Sequence, residues 1–186
     1  MKNENIVLTG MPAVGKSTVG VLLAKRLGWS FIDTDLLIQT GESRKLQEIL
    51  DSEGMEKFCA IEEQHILQLN CHRTVVSTGG SVIYGKKAMA RLKSLGLVVH
   101  LDLRPDFLKE RLVNLSSRGI VMGKDQQIET LYQERRPLYI KYADAEIDCR
   151  NLSPDQVADR LEDLYLKKSS AYDKPPDGSQ VRRNMQ

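Results

Sequence analysis

The residues best placed by type and spacing to do chemistry are Gly10-Met11-Pro12-Ala13-Val14-Gly15-Lys16-Ser17-Thr18, a match to G-x-x-x-x-G-K-[ST]. That pattern binds phosphate. Gly10 and Gly15 let the backbone curl until successive N–H groups, through Ala13 and Val14, point into one anion-sized hollow. A helix expected from Ser17 adds its positive N-terminal end. Lys16 reaches the β- and γ-phosphates, and the Ser17 hydroxyl is placed to ligate Mg²⁺. The competing reading is an incidental glycine-rich turn, but the string lies between a strand pattern and a helix pattern, the context the motif requires. A nucleoside triphosphate is the expected ligand.

Two further strings are candidates. Asp33 and Asp35 stand i, i+2 at the end of an apolar run. On an extended strand both carboxylates would leave the same face. Strand C-termini form the ligand crevice of open α/β sheets, so that face looks toward the phosphate loop. A carboxylate pair there holds the water ligands of Mg²⁺ and takes a proton from an attacking hydroxyl. The alternative is an N-cap and a turn residue. Thr78-Gly79-Gly80-Ser81 follows another strand pattern, where two glycines permit close backbone approach to a ligand or simply a tight exit.

The elements that must position these residues alternate in period. Ile6 to Thr9, Trp29 to Ile32, Thr74 to Ser77, Leu97 to Leu101 and Ala145 to Asp148 read as five strands. Helical spacing covers Ser17 to Leu27 (with Gly28 as its C-terminal cap), Leu46 to Leu50, Met55 to Leu69, Pro105 to Leu115 and Gln126 to Tyr142. Ser153-Pro154-Asp155-Gln156 is a capping box that starts a last helix to about Lys167. The alternation predicts an α/β fold with a parallel sheet flanked by helices. Residues 1–168 form one expected domain. Asn114 to Asp125 is a polar loop long enough to act as a lid, and Ser169 to Gln186, with Pro175-Pro176, is expected to be disordered.

Composition narrows the function classes. At 186 residues the chain is long enough to bury a full core without staples. Its net charge is only +2, and Lys167, Lys168, Lys174, Arg182 and Arg183 place the basic excess in the tail. The body is slightly acidic, which argues against a nucleic-acid binder. Cys59, Cys71 and Cys149 share no metal-binding or disulfide spacing. No signal peptide and no membrane span is legible, so a cytoplasmic protein is expected.

Taken together, these strings resemble the shikimate kinase family from Ile6 to about Leu164. Beyond the phosphate loop, the resemblance rests on Gly-Trp-Ser-Phe-Ile-Asp33-Thr-Asp35, Ile61-Glu62-Glu63, Ser77-Thr78-Gly79-Gly80-Ser81-Val82, Arg118, and Arg135-Arg136-Pro137-Leu138-Tyr139. It implies a three-layer P-loop kinase fold with a five-stranded parallel sheet and transfer of the ATP γ-phosphate to a hydroxyl of shikimate. It also implies ATP and Mg²⁺ as cofactors and a monomer acting on a small hydroxylated substrate. Lys16, Asp35 and Arg118 would be catalytic, with Asp33 and Ser17 assisting Mg²⁺. Asp35, Gly79, Gly80 and Arg135 would bind the acceptor, Arg135 through its carboxylate. Arg111 and Pro154 would pack the adenine beside the loop residues Gly10, Ala13, Val14, Gly15, Lys16, Ser17 and Thr18.

The resemblance breaks on the acid-binding side. Where the family carries a second carboxylate-clamping Arg, this chain has Cys59, and the family's glycine triplet ends in Ser81. Lid Arg118 precedes Gly119 in place of the usual Pro, and on its own reads as a solvated loop residue. Losing the clamp predicts weaker shikimate binding unless Lys57, Arg44 or Arg136 substitutes. Two readings compete with shikimate kinase. One is a kinase of another polyol or hydroxy acid, gluconate-like or nucleoside-type. The other is a non-catalytic nucleotide-binding module, against which the retained Lys16, Ser17, Asp33, Asp35 and Arg118 argue.

Overall fold

A computed structural model describes residues 4–113 and 127–172, with side chains for 4–111 and 127–168. The expected lid at Asn114 to Asp125, Arg118 with it, and the chain after Tyr172 lie outside the described residues. In order the elements are β1 (Asn5–Thr9), α1 (Lys16–Leu27), β2 (Ser30–Asp33), α2 (Thr34–Glu42), α3 (Leu46–Leu67), β3 (Thr74–Ser77), a 3₁₀ turn (Val82–Tyr84), α4 (Lys86–Leu95), β4 (Leu97–Asp102), α5 (Pro105–Val113), α6 (Ile128–Tyr142), β5 (Ala145–Asp148) and α7 (Pro154–Tyr172). All strand pairs are parallel, in the order β2-β3-β1-β4-β5. The five strands expected from the sequence are these five.

Strand order dictates the layers. The chain crosses from β1 over β3 to β2 in one direction and from β3 over β1 to β4 in the other. Right-handed crossovers therefore place α1 and α4 on opposite faces of the sheet. α1 packs with α7, and α3 packs with α4. The central strand β1 is covered on both faces, which is why Ile6-Val7-Leu8 is an unbroken apolar run, each residue 0% exposed. The direction of crossing reverses beside β1, so the loops after β1 and β3 open into one crevice. Thr78 clamps that crevice from below, donating from both its N–H and its hydroxyl to the Leu8 carbonyl.

Three departures from the sequence reading have local causes. α2 begins at Thr34, so Asp35 belongs to a helix and not to a strand end. α4 is not among the helices expected from the sequence, although Ala88, Met89, Leu92 and Leu95 form its buried stripe at helical spacing. The last helix runs past Lys167 to Tyr172, into the segment expected to be disordered. Ser169-Ser170-Ala171-Tyr172 holds no helix breaker, and the first, Pro175, lies beyond. Two expected features are present as read. Gly28 caps α1 in the left-handed conformation. Ser153 and Gln156 form the reciprocal capping box, with hydrogen bonds of 3.2 and 2.8 Å. Gly54, with positive φ, kinks α3 between the two helical segments read from the sequence.

Asn5 pins the lower edge of this framework. Its side chain accepts from the Thr74 N–H (3.0 Å) and donates to the carbonyls of Cys71 (3.0 Å) and Leu95 (2.8 Å), all in a position 1% exposed. Asn5→Ala strands three buried backbone groups and is expected to lower stability by about 3 kcal/mol. Urea unfolding of the two proteins checks this, and a loss within about 0.5 kcal/mol, the range of a neutral surface change, would contradict it.

Candidate active site

The phosphate loop is built from backbone that ordinary residues avoid. Gly10 (φ 147°), Ala13 (φ 63°) and Gly15 (φ 107°) all have positive φ. At Gly10 there is a second constraint, since a Cβ would stand 2.5 Å from the Leu101 carbonyl oxygen. Gly15 also ends the loop as the N-cap of α1, where no side chain caps the helix and no acidic residue lies in the first turn. The first N–H groups of α1 are thus left for an anion from outside the chain. Lys16, the first helical residue, folds back and donates to the Gly10 and Met11 carbonyls, 2.9 Å each. Burial pushes its ammonium down to about 8, with Asp35 and Asp33 pulling the other way.

Asp33 and Asp35 do not share one face as an extended strand would place them. The chain turns helical at Thr34, and two helical steps turn side chains roughly 200° apart. Asp33 caps α2, its Oδ1 accepting from the Asp35 N–H (3.0 Å) and its Oδ2 from the Ser17 hydroxyl (2.6 Å). Ser17 also lies 3.3 Å from the Ser77 hydroxyl at the end of β3. The N-cap alternative therefore describes Asp33 in part, while its other oxygen still meets the phosphate loop. Asp35 instead lies over Gly79 and lines the cleft beside Lys16. Burial pushes its carboxyl up to about 6 although Lys16 opposes this.

Gly79 has no room for a side chain. A Cβ there would meet Glu62 Oε1 at 2.5 Å and Asp35 Oδ1 at 2.8 Å. Glu62 shares the buried face of α3 with Phe58 and Ile66, at i, i+4 and i+8. Its Oε2 accepts from the Ser81 hydroxyl (2.8 Å), and its Oε1 is buried without a partner. Burial pushes this carboxyl up to about 8. Arg135, 1% exposed, approaches from α6, its NH1 lying 3.2 Å from where a Gly80 Cβ would stand. The Tyr139 hydroxyl donates to the Gly80 carbonyl (2.6 Å), and the His100 ring stacks on Tyr139 at 4.8 Å.

One cleft of about 520 Å³ joins these groups. Ala13, Val14, Gly15, Lys16, Ser17, Thr18, Asp35, Gly79, Gly80, Arg111, Arg135 and Pro154 all line it. Gly10 and Asp33 stand behind the lining, bonded to Lys16 and Ser17. Arg111 donates to the Val14 carbonyl (2.8 Å), and Cys149, Leu152, Pro154 and Val157 form an apolar slot beside it. None of the substitutes for the missing clamp is available. Lys57 and Arg44 pair with Glu53, and Arg136 pairs with Glu146 (3.0 Å) and approaches Asp102. The sequence reading gave no role to Glu62, Ser81, Tyr84 or Tyr139. For Glu62 there was a signal, a carboxylate in the apolar stripe of a helix.

A 2-3-1-4-5 parallel sheet with a phosphate cradle after its central strand and carboxylates across the crevice defines a P-loop small-molecule kinase. Comparisons narrow the class. The shikimate kinase family model matches residues 12–165. The shikimate kinase of Thermodesulfovibrio yellowstonii is 36% identical over 90% of this chain and 98% of its own. The solved shikimate kinase of Acinetobacter baumannii in complex with shikimate superposes with a TM-score of 0.82 at 28% identity, covering 88% of this chain and 93% of that one. That of Aquifex aeolicus gives 0.75 at 29%, covering 89% and 98%. The chain belongs to the shikimate kinase family and is an ATP-dependent phosphotransferase acting on a hydroxyl.

The buried Glu62 has a consequence for pH. Below its ordinary value of 4.5 the group is protonated folded and unfolded alike. Between there and about 8 the unfolded chain ionises it while the fold holds the proton, so stability falls as pH rises. The penalty on Lys16 is present throughout that window and adds no slope, because it is relieved only above about 8. Glu62→Gln removes this contribution. Its stability relative to the parent protein is expected to rise between about pH 5 and pH 8, as read by urea unfolding at both values. A constant difference would contradict the buried protonated carboxyl.

Proposed function

We propose that the protein transfers the γ-phosphate of ATP to a hydroxyl of shikimate. The observation that carries this is a single cleft with Lys16 and the open N-terminus of α1 at one side and Asp35 and the buried Arg135 guanidinium at the other. The first pair suits a polyphosphate, the second a hydroxylated carboxylic acid. The acceptor hydroxyl is oriented by Asp35, whose raised carboxyl is suited to accept its proton. Arg135 fixes the other end through the carboxylate, and Gly79 and Gly80 let Asp35 and Arg135 come close to the backbone after β3. Phosphoryl transfer asks for alignment and charge neutralisation more than covalent chemistry, and Lys16 supplies both on the phosphate side.

The residues present fit Mg²⁺. Ser17 and Asp33 offer a hydroxyl and one carboxylate, hard oxygen donors of the number Mg²⁺ takes from protein when phosphates and water complete its shell. They would hold the ion, which when bound would supply positive charge to offset that of the phosphates. Arg118, outside the described residues, would by the family resemblance neutralise charge on the transferring group. A monomer acting in the cytoplasm is part of the same proposal. Among the described residues no helix is long and apolar enough to cross a membrane.

ADP release from Mg-ATP and a panel of hydroxylated acids, shikimate among them, tests this reading. A rate with shikimate no greater than background would overturn it. Within the same assay, Asp35→Asn is expected to lower kcat by about 10²-fold or more with the KM for ATP unchanged. Equal damage to ATP binding would instead make Asp35 a nucleotide-side residue. Cys59 is half-buried beside Phe58, near Glu62 and Arg135. Cys59→Arg restores a second cation on the acid side and is expected to lower the KM for shikimate by about tenfold. An unchanged KM would show that Arg135 alone saturates the carboxylate.

A further inference from the structure

With Cys59 in place of a second clamp, recognition of an acidic acceptor falls on Arg135, and the structure shows how this chain holds it. The Arg135 Nε–H donates to the Tyr84 hydroxyl (3.1 Å), and the guanidinium carbon lies 5.3 Å from the Tyr84 ring centroid. The Tyr84 hydroxyl in turn donates to Glu134 Oε1. Glu134 and Arg135 are neighbours on α6, so their side chains leave the helix about 100° apart and do not face each other. Tyr84, in the 3₁₀ turn after Ser81, bridges the two from a separate element. A hydroxyl that gives its proton to a carboxylate becomes a better acceptor for the guanidinium.

Arginine can take a carboxylate on its Nε edge or on its NH1/NH2 end. The Nε edge here is filled by Tyr84. NH1 lies against Gly80, which with Ser81 and Arg135 lines the acceptor end of the cleft. Tyr139 also lies within reach of the same guanidinium, its own proton committed to Gly80. We infer that Tyr84 is a positioning residue for acceptor specificity, turning Arg135 so that its NH1/NH2 end alone receives the substrate carboxylate. This rests on the reading of shikimate as acceptor. It assigns the acid preference of the enzyme to a Glu134–Tyr84–Arg135 chain that touches the substrate only through its last member.

The test compares shikimate with its methyl ester, which keeps the hydroxyls and removes the anion. In the parent enzyme kcat/KM should favour the acid. Tyr84→Phe keeps the ring and deletes the bridge. It is expected to raise the KM for shikimate by about tenfold, with kcat at saturation and the KM for ATP little changed and the ester unaffected, so that the acid-over-ester preference shrinks by the same factor. Glu134→Gln, which leaves the hydroxyl in place, should give a smaller loss in the same direction and serves if Tyr84→Phe does not fold. Equal losses for acid and ester, no loss for either, or a parallel loss for ATP overturns the positioning role while leaving the shikimate reading intact. Failure of the parent enzyme to turn over shikimate overturns both.

Discussion

The hydrogen bonds from Lys16 to the Gly10 and Met11 carbonyls are the constraint on which the rest of the site depends. They close a loop whose backbone has positive φ at three positions, one of them an alanine, a conformation that needs support from its surroundings. Closing it fixes where α1 begins, and with α1 the direction of its uncapped N–H groups. It also sets Ser17 beside Asp33, joining the loop to the start of α2. Without that closure the cleft would have lining residues but no common geometry.

Around this loop the chain buries an uncommon concentration of charge. Lys16, Glu62 and Arg135 are each under a tenth exposed, and Asp35 lies among them. Burial moves the acids up and the lysine down. Such groups are costly unless paired, and the unpartnered oxygen of Glu62 shows that the pairing is incomplete. An anionic phosphate beside Lys16 and a carboxylate beside Arg135 would each supply a missing partner. Strain and unpaired charge at one place in an otherwise regular fold are what a binding site costs its scaffold.

On the acid side the chain departs from the family pattern it otherwise resembles. Cys59 removes a cation, and Lys57, Arg44 and Arg136 are each tied to carboxylates elsewhere. Ser81, standing where the family pattern has glycine, gives Glu62 its one hydrogen bond. Tyr84 binds the Nε of the remaining arginine. The two departures, Cys59 on α3 and Ser81 after β3, both fall near Glu62, and Tyr84 holds the arginine that remains.

The amino-acid sequence by itself determined whatever depends on neighbours along the chain. The phosphate loop follows from the spacing of Gly10, Gly15, Lys16 and Ser17. The strands follow from short apolar runs, and the last helix from Ser153 and Gln156 three residues apart. Even the overlooked α4 carried its stripe in plain spacing. Only the tertiary structure decided what depends on neighbours in space. Whether Asp33 and Asp35 lie on one strand turned on one residue, Thr34, which starts α2. The burial of Glu62, the bridge from Tyr84 to Arg135 and the diversion of the spare cations all arise where separate elements cross. A local pattern sets the direction of a side chain relative to its own helix or strand. Its partner, its dielectric surroundings and hence its charge state are set by elements that strand order brings from distant parts of the chain.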